Sequence, residues 1–478
     1  MRVRKVKPGE GQFSTYQSLA SPFYTALALI LTDLSTLTIS LLLSVWLRHL
    51  LEPTLPLGNY LSLWPLVALF PSVYALVGLY GVGFPPPEEL RRLSYVTTMV
   101  FAALGTATFL SKTGINYSRG VFFLAWGFTL VLVPLGRVLV RELCARRPWW
   151  GAPVVVLGAG KTGETVVRVL CKTPALGLKP VALLDDDPAK WGHSVEGVGV
   201  IGGLELGREL GLRRAIIAMP GVSREKLLSI VEQYGGIFSH LILIPDLFGF
   251  SSLWVSAKDL GGVLGLEVRQ QLLLPGPRFV KRAMDVIVSL VGSLLISPLV
   301  LVIAVLIKLD SPGPVLYGHT RIGQDGRWFK AWKFRTMLRN ADQVLKEHLE
   351  KHPELREEWE RDQKLRNDPR VTRVGRLLRK TSLDELPQLW NVLRGEMSLV
   401  GPRPIVQDEI RKYGEKFALY ARVKPGITGL WQVSGRNDTT YEERVALDTY
   451  YVRNWSIWLD LYILARTVWV VISRKGAY

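Results

Sequence analysis

Four long apolar segments near the start of the chain restrict its fold more than any other feature. They are Pro22–Leu47, Tyr60–Tyr80, Leu93–Leu110 and Val121–Val140. Each is long enough to cross the ~30 Å hydrocarbon layer of a membrane as a helix. A buried core helix is the alternative for any one of them, but four in succession favour a membrane bundle. Residues 1–148 are therefore predicted to form a four-helix transmembrane bundle.

The chain is basic as well as apolar, with a formal net charge of +18 and a hydrophobic content of 48%. Nucleic acid is one explanation for this charge, but membrane segments beside an anionic lipid surface account for it better. We therefore expect inner-membrane lipids among the partners and no nucleic acid. The two cysteines, Cys144 and Cys171, are too few for a disulfide framework.

Basic residues are distributed unevenly on the two sides of the bundle. One side carries Arg2, Arg4, Lys5, Lys7, Arg91, Arg92, Arg141, Arg146 and Arg147, and the other carries Arg48, Lys112 and Arg119. Because basic loops stay in the cytoplasm, both ends of the bundle are predicted to be cytoplasmic.

In residues 149–250 the long apolar segments give way to short strands alternating with helices. This pattern predicts a Rossmann-like, doubly wound α/β domain. The predicted strands are Val154–Leu157, Val181–Leu184, Ala215–Ala218 and Leu241–Ile244, with a helix over Arg224–Gln233. Gly158, Gly160 and Gly163 form a G-x-G-x-x-G pattern after the first strand, and Asp185 follows the second strand. This arrangement is typical of dinucleotide binding, so NAD or another nucleotide is one interpretation. Glycines retained only for helix–strand packing are the other, and we favour it.

A connector, residues 251–280, leads to a fifth apolar run, Ala283–Ile307. Ser297 and Pro298 lie in its middle, where a proline removes a helix hydrogen bond and bends the axis. The serine hydroxyl could satisfy the freed carbonyl. A segment that crossed the membrane would place the basic domain after it outside the cytoplasm. We therefore predict a re-entrant helix over 283–307, with an ordinary kinked spanning helix as the alternative.

The last domain, 281–478, contains two adjacent carboxylates, Asp384 and Glu385, in the stretch Thr381–Asn391. Basic residues surround this stretch in the sequence: Arg370, Arg373, Arg376, Arg379, Lys380 and Arg403. Carboxylates that bind a metal or attack phosphorus, next to arginines that hold oxygens, indicate chemistry on a phosphate. Alternatively, Ser382 and Glu385 fit the S-x-x-E pattern of a helix capping box.

Three further elements are predicted in this domain. Arg327–Met337 reads as a strand carrying Lys330, Lys333 and Arg335, and Leu338–Arg366 as a charged, solvated helical region. Tyr450–Val471 is rich in tyrosine and tryptophan, which favours an interfacial helix over an ordinary core helix.

Several of these motifs together resemble the bacterial sugar transferases, the monotopic polyprenyl-phosphate hexose-1-phosphate transferases. The matching pieces are Ser297–Pro298, Lys333–Met337, Ser382–Gln388, Met397–Pro404, Lys424–Arg436 and Tyr451–Asp460. The bundle and the α/β domain ahead of them match the long form of the family, which includes galactose phosphotransferases that start O-antigen and capsule chains. The charged stretch Leu345–Arg366 is not part of the shared motifs.

The resemblance implies a C-terminal α/β catalytic domain on the cytoplasmic face of the bacterial inner membrane. By resemblance, Asp384 attacks the sugar-bearing phosphate of a UDP-sugar, releases UMP and holds the phosphosugar. Undecaprenyl phosphate then takes the phosphosugar, with galactose or glucose expected. Mg²⁺ is the expected cofactor, bound by Asp384 and Glu385.

Charge and motif membership add phosphate contacts from Lys333, Arg335, Arg379 and Arg403, although each could be an ordinary surface or packing cation. Two other functions stay open at this stage: a membrane-tethered NAD-dependent nucleotide-sugar oxidoreductase or dehydratase, and a non-enzymatic scaffold. A homo-oligomer is a further expectation.

Overall fold

A computed structural model describes residues 20–53, 57–61, 63–111, 117–244, 255–259, 264–268, 271–352, 368–435 and 439–473. The chain divides into two compact units, Met1–Leu247 and Phe248–Tyr478. Some residues used in the sequence predictions lie outside the described ranges: Arg2, Arg4, Lys5, Lys7, Lys112, Arg366 and Arg436.

The first unit begins with helices whose composition suits a membrane. They are α1 Pro22–Leu51, α2 Leu57–Leu61, α3 Trp64–Leu76, α4 Pro86–Leu110 and α5 Arg119–Cys144. With one helix of the second unit, they give five described segments that are long and apolar enough to span a membrane: Pro22–Leu51, Gly58–Leu76, Pro86–Leu110, Arg119–Cys144 and Pro275–Asp310. Each predicted apolar segment overlaps one of these five. The chain is therefore a membrane protein.

A buried ion cluster joins three helices of the bundle. Arg137 Nη2 lies 2.6 Å from Asp33 Oδ2, and Arg137 Nη1 lies 2.8 Å from Glu89 Oε1. The same Glu89 oxygen accepts from Arg141 Nη2 at 2.8 Å, and Tyr80 donates its hydroxyl to Asp33. Charged groups are costly in an apolar bundle unless they are paired, so these contacts bring α1, α4 and α5 into register.

The bundle is in direct contact with the α/β region of the same unit. Arg141 Nη1 donates to the Ala175 carbonyl at 2.7 Å, and the Gly151 amide donates to Thr25 Oγ1 at 2.7 Å. The boundary predicted between residues 148 and 149 therefore falls inside one compact unit. Two domains within that unit remain a prediction.

The α/β region contains a six-stranded sheet with the order β3-β4-β2-β1-β5-β6. All pairings are parallel except β3 with β4. Its elements are β1 Ala152–Leu157, α6 Lys161–Lys172, β2 Leu178–Leu184, β3 Ser194–Val195, β4 Val198–Gly202, β5 Arg214–Ile217, α7 Arg224–Gly235 and β6 His240–Leu243. The four predicted strands and the predicted helix are confirmed, whereas β3 and β4 were not predicted.

The second unit has a long helix followed by short strands and helices. Its first elements are β7 Val255–Asp259, β8 Leu264–Val268, α8 Pro275–Asp310, β9 Leu316–Ile322, β10 Trp328–Phe334, α9 Ala341–Lys351, α10 Arg373–Thr381 and α11 Gln388–Arg394. The remaining elements are β11 Ser398–Val400, α12 Ile410–Tyr413, α13 Phe417–Tyr420, β12 Gly426–Thr428, α14 Leu430–Ser434, α15 Tyr441–Asn454 and α16 Ile457–Ser473. The strand predicted over Arg327–Met337 is confirmed as β10, which pairs antiparallel with β9.

The aromatic stretch Tyr450–Val471 is two helices, not the single helix predicted. Trp455 follows α15 with an extended ψ of 136°, so the helix ends there and α16 starts at Ile457. One side of α16 is buried through Asp460 and Ile463, while Val468 and Trp469 are more than half exposed. This helix therefore combines core packing with an exposed apolar surface.

Both halves of α8 are anchored in the second unit. In the first half, Lys281 Nζ lies 2.7 Å from Asp460 Oδ2, and Asp285 accepts from the Leu399 amide. In the second half, Ile303 and Ile307 pack with Phe334 and Leu378. Between these contacts the helix is exposed, with Leu294 and Leu295 each 74% accessible.

Candidate active site

The two adjacent carboxylates lie on a short turn between α10 and α11. Ser382 ends α10 with φ 56° and ψ 16°, a left-handed conformation that is uncommon for a residue other than glycine. A single 3₁₀ turn, Leu383–Glu385, follows it. Leu383 and Leu386 pack against the cluster of α8, β10 and α10 side chains. Apolar contacts on one side of the turn thus fix the position of Asp384 and Glu385.

The capping-box interpretation of this turn is wrong. Ser382 ends α10 and directly precedes the 3₁₀ turn, but its side chain makes no capping hydrogen bond to that turn. Glu385 directs its carboxylate to β10 instead: Lys333 Nζ lies 2.6 Å from Glu385 Oε1 and 3.8 Å from Asp384 Oδ2. One lysine therefore screens both carboxylates.

Opposing influences set the pKa of Asp384. Burial raises the pKa above the ordinary value of an aspartate, and the neighbouring Glu385 carboxylate raises it further. Lys333 and Arg379 act in the opposite direction, because cations favour the ionised form. The Asp384 side chain keeps 13% of its surface accessible, so one face can still meet a substrate. The result is a partly desolvated and more basic carboxylate, as a nucleophile requires.

The predicted phosphate contacts divide into two groups. Lys333, Arg379 and Arg403 keep solvent-accessible cations; Arg379 Nε donates to Thr336 Oγ1, and the Arg403 guanidinium lies 5.7 Å from the centre of the Trp431 ring. Arg335 is buried and donates to Ser311 and Pro312 in the turn after α8. We therefore revise Arg335 from a phosphate contact to a residue that braces this turn.

Sequence reasoning missed β9, which extends the basic surface beside the carboxylates. Lys333 is paired with Tyr317 in the antiparallel register, and Ala331 is paired with His319. Directly opposite residues share a face of the hairpin, so Lys333, His319 and Arg321 lie on one face. Residues 316–322 read LYGHTRI and do not alternate regularly between polar and apolar residues, so the sequence lacks the usual signal for this strand.

Comparison with known proteins identifies the family. The model of the bacterial sugar transferase family matches residues 276–474. The chain is 37% identical over 400 residues to the UDP-galactose-lipid carrier transferase of Erwinia amylovora, covering 82% of each chain. It is 38% identical over 398 residues to the undecaprenyl-phosphate galactose phosphotransferase of Salmonella typhimurium, again covering 82% of each. The chain belongs to the bacterial sugar transferase family.

A third relative matches less than half of this transferase. The exopolysaccharide production protein ExoY of Rhizobium meliloti is 54% identical over 198 residues, which are 41% of this chain and 88% of that protein. The bacterial sugar transferase model, at residues 276–474, covers the region that contains Asp384, Glu385 and Lys333. In this transferase that region is preceded by further segments, and a CoA-binding domain family model matches residues 76–245.

The glycine-rich loop in the α/β region of the transferase is bonded to its own chain. Asp185 Oδ2 accepts from the Ala159 amide at 2.7 Å and from Lys190 Nζ at 2.9 Å, while Oδ1 accepts from the Asp187 amide. These bonds lower the pKa of Asp185. A side chain at Gly163 would lie 1.9 Å from the Gly158 carbonyl oxygen, and Gly158 itself has φ +102°. Packing therefore accounts for these two glycines, whereas the space beside Gly160 is open.

The carboxylate pair has the donor chemistry that Mg²⁺ prefers. Magnesium is usually held by one or two carboxylates together with waters and substrate phosphates. Asp384 and Glu385 supply such a pair, and no group of three or more His, Cys, Asp or Glu side chains suited to a metal occurs among the described residues. The residues present therefore fit a magnesium ion that is shared with a phosphate substrate.

Proposed function

We propose that this transferase moves a hexose-1-phosphate from a UDP-sugar to undecaprenyl phosphate, with UMP as the leaving product. The observation that carries the proposal is the half-buried Asp384 beside Glu385 and Lys333, within the region that matches the family. The names of the two long relatives favour galactose as the sugar and a lipid carrier as the acceptor. Such a reaction would begin a membrane-linked polysaccharide such as O-antigen, capsule or exopolysaccharide.

In the first proposed step, a carboxylate oxygen of Asp384 forms a bond to the sugar-bearing phosphorus. The bond from that phosphorus to the bridging oxygen breaks, and its electron pair leaves with UMP. In the second step, an oxygen of the lipid phosphate attacks the same phosphorus. The bond to Asp384 then breaks, which regenerates the carboxylate and gives a lipid-linked diphosphosugar. A carboxylate nucleophile divides one difficult displacement into two easier ones.

Attack of a carboxylate on a phosphate requires screening, because both groups are anions. Lys333 supplies one cation, close to both Asp384 and Glu385. Arg379 and Arg403 are further cations for the phosphate oxygens. Mg²⁺, held by Asp384 and Glu385, would supply Lewis-acid polarisation of the phosphate when bound. Glu385 has the additional role of fixing Lys333 through the 2.6 Å contact.

The contacts of α8 support a re-entrant helix. Arg282 donates to the Val392 and Leu393 carbonyls of α11, and Val300 lines an apolar groove with Trp390 of the same helix. A straight helix would separate Arg282 from Val300 by ~27 Å, whereas α11 is only ~10 Å long. A bend around Ser297 and Pro298 allows both halves to reach one short helix. The exposed leucines at the bend would enter one leaflet.

A re-entrant α8 supports catalysis on the cytoplasmic face of the bacterial inner membrane. UDP-sugars are cytoplasmic, whereas the phosphate of the lipid acceptor lies at the membrane surface. The basic residues Arg91, Arg92, Arg141, Arg146 and Arg147 favour the same side for the loops of the bundle. Four spanning helices would then anchor the chain without entering the reaction.

For the α/β region we propose a structural role rather than NAD-dependent chemistry. The Asp185 carboxylate, which would bind a ribose, accepts three hydrogen bonds from its own loop and from Lys190. These residues fit a dinucleotide poorly, so we derive no step from one. We divide the chain as 1–148, 149–250, 251–280 and 281–478, with the two N-terminal parts packed as one unit.

A UMP-release assay on the purified full chain tests the proposed function. The protein in nanodiscs would be given UDP-galactose, UDP-glucose and N-acetylated UDP-sugars with Mg²⁺, with and without undecaprenyl phosphate. We expect lipid-dependent UMP release with one sugar and none from Asp384→Asn, since the amide is not a nucleophile. Asp325→Asn, on a loop of the same unit, is the matched control and should keep full activity. Normal turnover by Asp384→Asn would remove Asp384 from its role.

A further inference from the structure

Three arginines from three different elements lie close enough to interact in the second unit, and two of them lie over the Trp431 ring. Arg321 lies on β9, Arg403 in the loop after β11, and Arg444 on α15. The Arg444 and Arg403 guanidinium carbons lie 4.9 Å and 5.7 Å from the centre of the Trp431 ring. Among the described residues, neither Arg321 nor Arg403 forms an ion pair, while Arg444 pairs with Glu409 at 3.3 Å. The group therefore carries more positive charge than its own contacts neutralise.

Arg444 is the buried base of this group. It is only 8% exposed, and its Nε and Nη2 atoms have no hydrogen-bond partner in the described structure. A buried acid on the same helix, Asp448, interacts with Arg444 and Arg403, and burial raises its pKa to about 7. Burial and the repulsion of Arg403 lower the pKa of the half-buried Arg321. Desolvated cations without full compensation are costly in a protein unless an anion completes the site.

The arginines adjoin the candidate active site through one face of the β9–β10 hairpin. In the antiparallel register Lys333 is opposite Tyr317, and Arg321 lies four residues further along β9. At the rise of a strand, this separation is ~14 Å between backbone positions. Long side chains directed toward each other can bridge much of that distance. His319 lies between them, and both Lys333 and Arg321 lower its pKa after burial does. One face of the hairpin thus carries Lys333, beside Asp384, and Arg321, with the polar His319 between them.

We propose that Arg321, together with Arg403, binds the nucleotide-side phosphate of the sugar donor and of the released UMP. This inference rests on the proposed function, in which the bond between the sugar-bearing phosphorus and the bridging oxygen breaks. The electron pair of that bond passes to UMP, so negative charge develops on the phosphate next to the uridine. Arginine suits this position because its planar fork donates two parallel hydrogen bonds to phosphate oxygens. Arg444 adds positive charge beneath the site.

The test compares UMP and uridine as ligands of the full-length protein in nanodiscs. UMP inhibition of turnover and direct UMP binding by calorimetry would be measured for wild type, Arg321→Met and Arg321→Lys. We expect Arg321→Met to weaken UMP binding by about tenfold or more, the loss typical of one charge-assisted contact. Uridine has no phosphate, so its affinity should not change. Arg321→Lys should recover part of the UMP affinity, and Arg411→Met, an exposed arginine on α12, should match wild type.

The outcomes separate this inference from the proposed function. Wild-type turnover with unchanged UMP binding in Arg321→Met would overturn the phosphate site and leave the reaction standing. Equal losses of UMP and uridine binding would also overturn it, because they would indicate a distorted fold. UMP binding that depends on Arg321 in a wild type without transferase activity would support the site and remove the proposed function.

Discussion

The reactivity of Asp384 depends on a balance between desolvation and one nearby lysine. Burial and Glu385 raise the pKa of Asp384, and Lys333 lowers it. A nucleophilic carboxylate must be ionised, so activity is lost as the pH falls through this pKa. Because the folded pKa lies above the ordinary value, the acid limb of the pH profile should also lie above that of an exposed aspartate.

Lys333→Met should move this acid limb to higher pH. The substitution removes the largest influence that lowers the pKa of Asp384, so protonation persists further toward neutrality. We expect UMP release at neutral pH to fall by about tenfold or more, because screening of the phosphate is lost as well. The measurement is the rate of UMP release across the acid and neutral range. Lys330→Met is the matched control, since Lys330 is on the opposite face of β10; an unshifted limb in Lys333→Met would contradict the role of the lysine.

For individual residues, the sequence motifs predicted the site positions of the two carboxylates better than those of the basic residues around them. Asp384 and Glu385 are adjacent in the chain, so their proximity follows from the sequence alone. Lys333 and Arg335 are two residues apart and equally basic, yet one meets Glu385 and the other meets Ser311. That difference depends on where the turn after α8 meets the end of β10, which is a tertiary contact. The left-handed Ser382 was missed because its S-x-x-E spacing also fits a helix start.

In helix α8, the structure contains the side-chain hydrogen bond that the sequence predicted next to the proline. Pro298 has no amide hydrogen for the Leu294 carbonyl, and the Ser297 hydroxyl donates to that carbonyl at 2.8 Å. The predicted satisfaction of the freed carbonyl is confirmed. The helical assignment nevertheless continues through Pro298, from Pro275 to Asp310. A re-entrant path remains a proposal that this bond supports.

Pro298→Ala should allow α8 to straighten in part of the molecules. Alanine restores the amide that Leu294 needs, and it removes the ring that bends the helix. Single cysteines placed before Pro275 and after Asp310 would be labelled from each side of a vesicle, with Cys144 and Cys171 replaced by serine. We expect both sites to be cytoplasmic in the unsubstituted helix and a fraction to be on opposite sides in Pro298→Ala. Gly292→Ala on the same helix is the control; cytoplasmic labelling alone in Pro298→Ala would show that the proline does not set the path.

Across the whole molecule, the first unit depends on its buried ion cluster more than on surface pairs. Arg137→Met would leave Asp33 and Glu89 without their shared partner inside the bundle. Removing one member of a buried pair typically costs about 3–5 kcal/mol. We expect a clear loss of thermal stability in the first unit, while UMP release at low temperature is retained because the chemistry lies in the second unit.

The matched control for this substitution is Arg92→Met. Arg92 forms a partly exposed pair with Glu88, and pairs near the surface are worth about 1 kcal/mol or less. Thermal unfolding in nanodiscs, followed by the fluorescence of the tryptophans, would compare the two variants. Equal stability of Arg137→Met and Arg92→Met would show that the cluster does not hold the bundle together.

The larger architecture was predictable where the pattern was long or repeated. Apolar length placed the membrane helices, and alternating strands and helices placed the parallel sheet. Short elements escaped prediction: β3 has two residues, and β11 and β12 have three each. Strands of two or three residues are too short to show a local periodicity, and the partner of β11 also lies more than 20 residues further along the chain. The contact between Arg141 and Ala175 could not be predicted either. It joins one arginine side chain to one backbone carbonyl, and every residue has such a carbonyl.

The ion cluster also has a consequence for the order of events during synthesis. Asp33 and Arg137 are 104 residues apart in the chain. At a translation rate of roughly 5–20 residues per second, α1 emerges several seconds before α5 can neutralise its aspartate. During that interval a lone carboxylate in a helix centre opposes insertion by about 2.5–3.5 kcal/mol. The first helix therefore inserts with this penalty uncompensated by Arg137, and the stabilisation from the Asp33–Arg137 pair is gained only after the last helix of the bundle has arrived.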